Sequence, residues 1–124
     1  MAATVLVCDN EAPLRALVRA ALNPGGYRIV EARDGNESVE LARAELPDVI
    51  VLDMMMPGRS GLEVLEGLRD DPALATTPVV MLTARAQAAD EAAAVDAGAD
   101  HFLSKPFSPL ELADLVAELA VEQP

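Results

Sequence analysis

The stretch Val49-Ile50-Val51-Leu52-Asp53-Met54-Met55-Met56-Pro57-Gly58 decides how this chain folds. Its four consecutive branched apolar residues have the length and composition of a strand buried on both faces. Pro57-Gly58 stops the strand and forces a loop. Asp53 therefore stands at the carboxyl end of a central parallel strand, the edge where open α/β sheets place their chemistry. A charged group there is not filler.

Strand-like and helix-like segments alternate on both sides of this stretch. Upstream, Val5-Leu6-Val7-Cys8 reads as a first buried strand. Leu14, Leu17, Val18, Ala21 and Leu22 follow at the spacing of one apolar helix face. Asn23-Pro24-Gly25-Gly26 breaks that helix before a strand around Tyr27–Ala32. Asp34, with Glu37 three residues on, opens a helix running to about Ala44.

Downstream, Gly61 and Leu62 open a short helix carrying Leu62, Leu65 and Leu68. Pro78–Leu82 is a fourth strand ending at Thr83, and Ala86–Ala97 an Ala-rich helix with Gly98 as its C′ residue. His101–Ser104 is a fifth strand ending at Lys105. The last helix has Ser108 as N-cap, Pro109 at its first position and Glu111 closing a capping box, with Leu112, Leu115, Val116 and Leu119 as core face. Five β/α units with short connections predict an α/β fold: one parallel sheet with helices on both faces. We expect a single domain over residues 1–124, its core about 3–120, with no output domain in this chain.

Composition narrows the function. The chain is 52% hydrophobic but only 2% aromatic, so Ala, Val, Leu, Ile and Met build the core. A net charge of −12 argues against binding nucleic acid or an anionic membrane surface. The one cysteine, Cys8, allows no internal disulfide and suits a reducing, cytoplasmic setting. No apolar run approaches the roughly 18 residues of a membrane helix, and the N-terminus lacks a signal-peptide pattern.

The carboxyl ends of the strands carry Asp9-Asn10-Glu11, Asp53, Thr83 and Lys105, the sole lysine of the chain. Parallel strands gather these ends on one edge. Clustered oxygens suit Mg²⁺, a hard cation usually shared with a phosphate. A carboxylate beside it can attack a phosphoryl group, while a lysine and a hydroxyl neutralise the transferring oxygens. Singly these residues have blander readings. Asp53 and Asp9 could cap helices, Asn10 could cap rather than ligate, and Thr83 could simply end its strand. Met54, Met56 and Cys8 read as packing, and His101 is assigned no role.

Val5-Leu6-Val7-Cys8-Asp9-Asn10-Glu11, Leu52–Gly58 with Gly61, Leu82-Thr83-Ala84 and Lys105-Pro106-Phe107 together resemble the receiver domain of two-component response regulators, chemotaxis receivers included. The resemblance covers residues 3 to 120 with every motif in order. It implies a single doubly wound, flavodoxin-like (βα)5 domain with strand order 2-1-3-4-5. It also implies a phosphorylation-dependent switch, serving signal transduction or a phosphorelay, that is not a turnover enzyme on a free substrate.

By that resemblance Asp53 accepts the phosphoryl group from a histidine kinase or phosphotransfer protein. Mg²⁺ is held by Asp9, Asn10, Asp53 and the Met55 carbonyl. Thr83 and Lys105 bind phosphoryl oxygens, Ala84 leaves room for the group, and Lys105–Pro106 is a cis peptide. Thr83 and Phe102 relay the change to the face formed by the Ala-rich helix, the strand ending at Lys105 and the last helix, which passes it to a downstream effector or output domain. The implied protein is a monomer or a phosphorylation-dependent dimer.

Two positions depart from the family pattern. Asn10 replaces a usual acid, removing one negative charge, so weaker metal binding is expected. Phe102 stands where the family often has tyrosine. The alternative function is a pseudo-receiver, a binding module working without phosphorylation because Asn10 weakens the metal site. An aspartyl phosphatase would want an acid where Met55 stands, and a nucleotide or flavin module would want a Gly-rich loop after the first strand.

Overall fold

Alternating apolar side chains on five short strands sort onto the two faces of one parallel sheet. A computed structural model of the chain describes residues 3–83, 92 and 95–121. The strands are β1 (Thr4–Cys8), β2 (Arg28–Ala32), β3 (Val49–Asp53), β4 (Val79–Thr83) and β5 (His101–Ser104). They lie in the order β2-β1-β3-β4-β5, all parallel. β3 and β4 are buried along their whole length, as the unbroken apolar runs require.

Helices α1 (Ala12–Leu22), α2 (Gly35–Glu45), α3 (Gly61–Asp70) and α4 (Pro109–Val121) cover the sheet. Leu6, Cys8, Ile50, Leu52 and Met81 face one side, packed with Val39, Ala42, Val64, Leu65 and Leu68 of α2 and α3. Val5, Val7, Val49, Val51 and Leu82 face the other, packed with Val18, Leu22, Leu112, Val116 and Leu119 of α1 and α4. Leu17 departs from the predicted apolar face of α1: it is 44% exposed, while Val18 and Leu22 are the buried residues of that helix.

The caps follow the sequence closely. Asp34 accepts from the Glu37 N–H at 2.8 Å, and Ser108 from the Glu111 N–H at 3.3 Å. α3 has a capping box that the sequence reading passed over, Ser60 with Glu63. The predicted Ala-rich helix falls largely outside the described residues, as do Ala84 and Arg85. Val95–Ala97 are helical, and Gly98 follows at φ 104°, the left-handed conformation expected of a C′ glycine. Among the described residues no helix is long and apolar enough to cross a membrane.

α2 ends on a non-glycine residue in the left-handed region, Leu46 at φ 47°, half exposed. That conformation costs a residue with a Cβ about 1–2 kcal/mol. Leu46→Gly should therefore stabilise the protein by about 0.5–1 kcal/mol after glycine's larger unfolded-state entropy is subtracted. Urea unfolding reads this directly; a lower midpoint in the variant would contradict it.

Candidate functional site

Register brings the acids together. Cys8 is level with Leu52 across β1 and β3, so the next residues, Asp9 and Asp53, stand side by side at the strand ends. On β4, Leu82 is level with Asp53, and Thr83 is level with Ser104 of β5. Lys105 thus leaves β5 just beyond the same edge. Asp9, Asp53 and Thr83 are all buried, with at most 3% of their surface exposed.

The Lys105 ammonium spans the two carboxylates. Its Nζ lies 3.1 Å from Asp53 Oδ1 and 3.3 Å from Asp9 Oδ2. Its backbone N–H donates to the Thr83 carbonyl at 2.6 Å, and Lys105–Pro106 is cis. Asp9 Oδ1 accepts the Glu11 N–H at 2.8 Å, and Asp53 Oδ1 accepts the Met55 N–H at 3.4 Å. Four segments distant in sequence thus meet through hydrogen bonds at one place.

Charge at the site follows from this packing. Burial and then the charge of Asp9 push the Asp53 carboxyl above the usual carboxylate range, opposed by Lys105 and the Met55 N–H. Burial alone would pull Lys105 down, but its bond to Asp53 and the charges of both acids outweigh it and hold it above the usual lysine value. Lys105 is a cation at neutral pH.

Asn10 and Glu11 are exposed at the rim, and Met55 is 71% exposed. Among the described residues no group of three or more His, Cys, Asp or Glu is placed to hold a metal. The oxygens the structure brings together here are the carboxylates of Asp9 and Asp53. That set does not close around an ion; it suits a hard cation retaining several waters. Both carboxylates already converge on one positive charge, so the donors fit Mg²⁺.

The remaining sequence expectations fall into place around the centre. Met54 is buried, and Met56 and Phe102 pack partly buried against the α2/α3 side of the core. Cys8 is buried in that same cluster, and its thiol is pushed up to about 12, by burial above all. His101 is half-buried on β5. Glu11 is the N-cap residue of α1, without a side-chain cap bond.

The sequence reading missed Arg15. This guanidinium is only 12% exposed; its Nη1 donates to the Asp9 carbonyl at 2.7 Å and its Nε to Glu31 Oε1 at 3.1 Å. Arg19 holds the other oxygen of Glu31, with contacts of 2.7 and 3.0 Å. One signal was available: a cation in the first turns of a helix opposes the macrodipole and so calls for some other partner.

The Glu31 carboxyl is held below its usual range, chiefly by its hydrogen bond to Arg19, with burial opposing and the charges of Arg19 and Arg15 adding to the fall. Between the folded and unfolded values the unfolded chain binds more protons, so Glu31 contributes stability above about pH 4 that is lost as pH falls through the folded value. The stability gap between wild type and Glu31→Gln, measured by urea unfolding, should therefore hold level from pH 7 to about pH 5 and shrink from there to pH 3. A gap that widens on acidification would contradict the ion-pair account.

Comparison with known proteins now bears on this edge. The sequence pattern of the family described as "Response regulator receiver domain" matches residues 5–117. The chain belongs to the response regulator receiver family. Receivers are signalling modules of two-component systems, not turnover enzymes on free substrates. This receiver is 41% identical over 112 residues to the phosphate regulon transcriptional regulatory protein PhoB of Escherichia coli, covering 90% of this chain and 49% of that protein. The chain thus spans about half the length of the curated relatives it matches.

Among solved structures, the receiver domain of Francisella response regulator 1452 superposes with a TM-score of 0.89 at 32% identity, covering 96% of this chain and 97% of that one. The chemotaxis response regulator CheY4 of Vibrio cholerae gives 0.90 at 30% identity, covering 96% and 99%.

Proposed function

We propose that this receiver is a phosphorylation-controlled switch in which Asp53 accepts the phosphoryl group from a phosphohistidine of a histidine kinase or phosphotransfer protein. The observation carrying this reading is the buried Asp53 carboxylate joined by the Lys105 ammonium to Asp9. An Asp53 oxygen attacks phosphorus, the N–P bond breaks with its electron pair left on the imidazole, and an aspartyl phosphate results. Bound through Asp9, Asn10, Asp53 and the Met55 carbonyl, Mg²⁺ would supply charge neutralisation on the transferring oxygens.

Lys105, charged throughout, transfers its contact from the Asp53 carboxylate to a phosphoryl oxygen. The Thr83 hydroxyl takes another oxygen, and Ala84, next in sequence, is small enough to leave room. Thr83 is tied through its carbonyl to the Lys105 amide just past the end of β5, and Phe102 lies on β5 three residues before Lys105. A shift at Thr83 therefore reaches β5 directly. It biases two conformations of the face made by Val95–Ala97, β5 and α4, which a downstream effector reads.

The PhoB relatives are named as transcriptional regulators, so the effector we propose is a transcriptional output domain. This acidic domain does not itself suit DNA. We place the protein in the cytoplasm, as a monomer or a phosphorylation-dependent dimer.

Amide NMR spectra before and after beryllofluoride, a phosphoryl mimic, in Mg²⁺ test the switch. Shifts should start at Asp53–Met55 and extend through Thr83 to Phe102 and Lys105. Shifts confined to the β3 end would contradict the relay. No response in wild type, with response restored by Asn10→Asp, would favour a pseudo-receiver whose metal site lacks one charge.

A further inference from the structure

The Asp9 peptide is gripped on both sides. Its N–H donates to the Ala32 carbonyl of β2 at 3.1 Å, and its carbonyl accepts Arg15 Nη1 at 2.7 Å. Arg15 is in turn fixed by Glu31, the residue before Ala32, so both grips lead back to β2. The guanidinium binds the carbonyl of the peptide that joins Asp9 to Asn10, and so sets the plane from which both side chains leave. With Asn10 uncharged, Asp9 is the one acid on this side of the site whose carboxylate reaches Lys105.

We propose that Arg15, anchored on Glu31, is a positioning residue that holds the Asp9–Asn10 peptide in the orientation needed to bind the divalent cation. This rests on the metal-assisted phosphoryl-acceptor reading above. Arg15 touches neither the reacting carboxylate nor a phosphoryl group; it acts through the backbone. Groups one layer behind metal ligands commonly change affinity about 10–100-fold when removed. A lysine would not replace it fully, because its donors leave one nitrogen, whereas the guanidinium reaches the Asp9 carbonyl from Nη1 and Glu31 from Nε in a fixed plane.

Arg19 supplies the control. It grips the same Glu31 more heavily, yet the backbone carbonyl it reaches, at 3.4 Å, is that of Ile29 on β2, not that of Asp9. A role limited to general stability predicts that Arg15→Gln and Arg19→Gln behave alike. Positioning predicts that they do not.

The experiment is an Mg²⁺ titration of the unphosphorylated protein, followed by the amide shifts of residues 9–11, with native-state hydrogen exchange on the same samples. Arg15→Gln should weaken Mg²⁺ about tenfold or more. It should also speed exchange of the Glu11 amide, which Asp9 Oδ1 holds, while the central β3 amides keep their protection. Arg19→Gln should leave both readings near wild type. Equal Mg²⁺ affinity in wild type and Arg15→Gln would overturn the inference, and so would equal losses in the two variants or a uniform rise in exchange across β3. Absence of Mg²⁺ binding by wild type would overturn it as well. Acetyl phosphate labelling of the same wild-type sample reports separately on Asp53: no adduct in a protein that binds Mg²⁺ would count against the acceptor reading alone.

Discussion

Lys105→Ala is expected to slow phosphorylation of Asp53 about 100–1000-fold, the usual loss when one preorganised donor to a transferring oxygen is removed. Among the described residues Lys105 is the one charged donor to Asp53. The loss should fall on the maximal rate at saturating Mg²⁺ and donor rather than on donor affinity, because the ammonium is needed most as charge builds on the phosphoryl oxygens. The variant also leaves Asp9 and Asp53 facing each other without a cation between them. Their mutual repulsion should push Asp53 further above the usual carboxylate range, in the direction burial and Asp9 already push it. Initial rates from acetyl phosphate, by intact mass, measure the effect; a rate within threefold of wild type would remove Lys105 from the chemistry.

Gly61→Ala should damage stability and site together. A Cβ at this position would stand 2.4 Å from the Asp53 carbonyl oxygen and 2.7 Å from the Met54 Cα, backbone atoms that cannot rotate away. The contact is locked in place: Gly61 N–H donates to the Met54 carbonyl at 2.8 Å, and Met54 N–H to the Leu82 carbonyl at 2.9 Å. Room for a methyl group comes only from displacing the end of β3 or the start of α3. Such overpacking costs about 1–3 kcal/mol, and here the displaced residue is the proposed acceptor. Urea unfolding should show the loss, and phosphorylation should fall even under conditions where the variant is fully folded. Wild-type stability with wild-type labelling would mean the close approach is not required.

The fold was legible chiefly through the central strands, whose apolar runs are unbroken, and through the breakers and caps between elements. Val49–Asp53 before Pro57-Gly58 is the clearest case, and the caps at Asp34 and Ser108 marked two helix starts within a residue. Leu17 is exposed because helical spacing identifies a face but not how much of it is covered; the cluster over β1 and β3 takes Val18 and Leu22 from α1 and is completed by Leu112, Val116 and Leu119 of α4.

At the site, side chains at strand ends could be read because parallel register is nearly automatic, and Asp9, Asp53 and Lys105 do converge. What the sequence hid were long side chains bonded to backbone. Arg15 grips the carbonyl of Asp9, and Arg69 bonds the carbonyls of Leu74, Ala75, Thr77 and Gly98 together with Asp100. A carbonyl oxygen carries no residue identity, so no pairing of residue types points to it. Such contacts exist only in the folded chain, where helix side chains meet loop backbone.

The most direct test of the central claim is intact-mass spectrometry of wild type and Asp53→Asn after incubation with Mg²⁺ and acetyl phosphate, followed by peptide mapping. The account predicts one phosphoryl group on wild type, mapped to the peptide holding Asp53, absent from the variant and absent when a chelator removes the metal. An adduct that persists in Asp53→Asn, or none on wild type at saturating Mg²⁺, would contradict it.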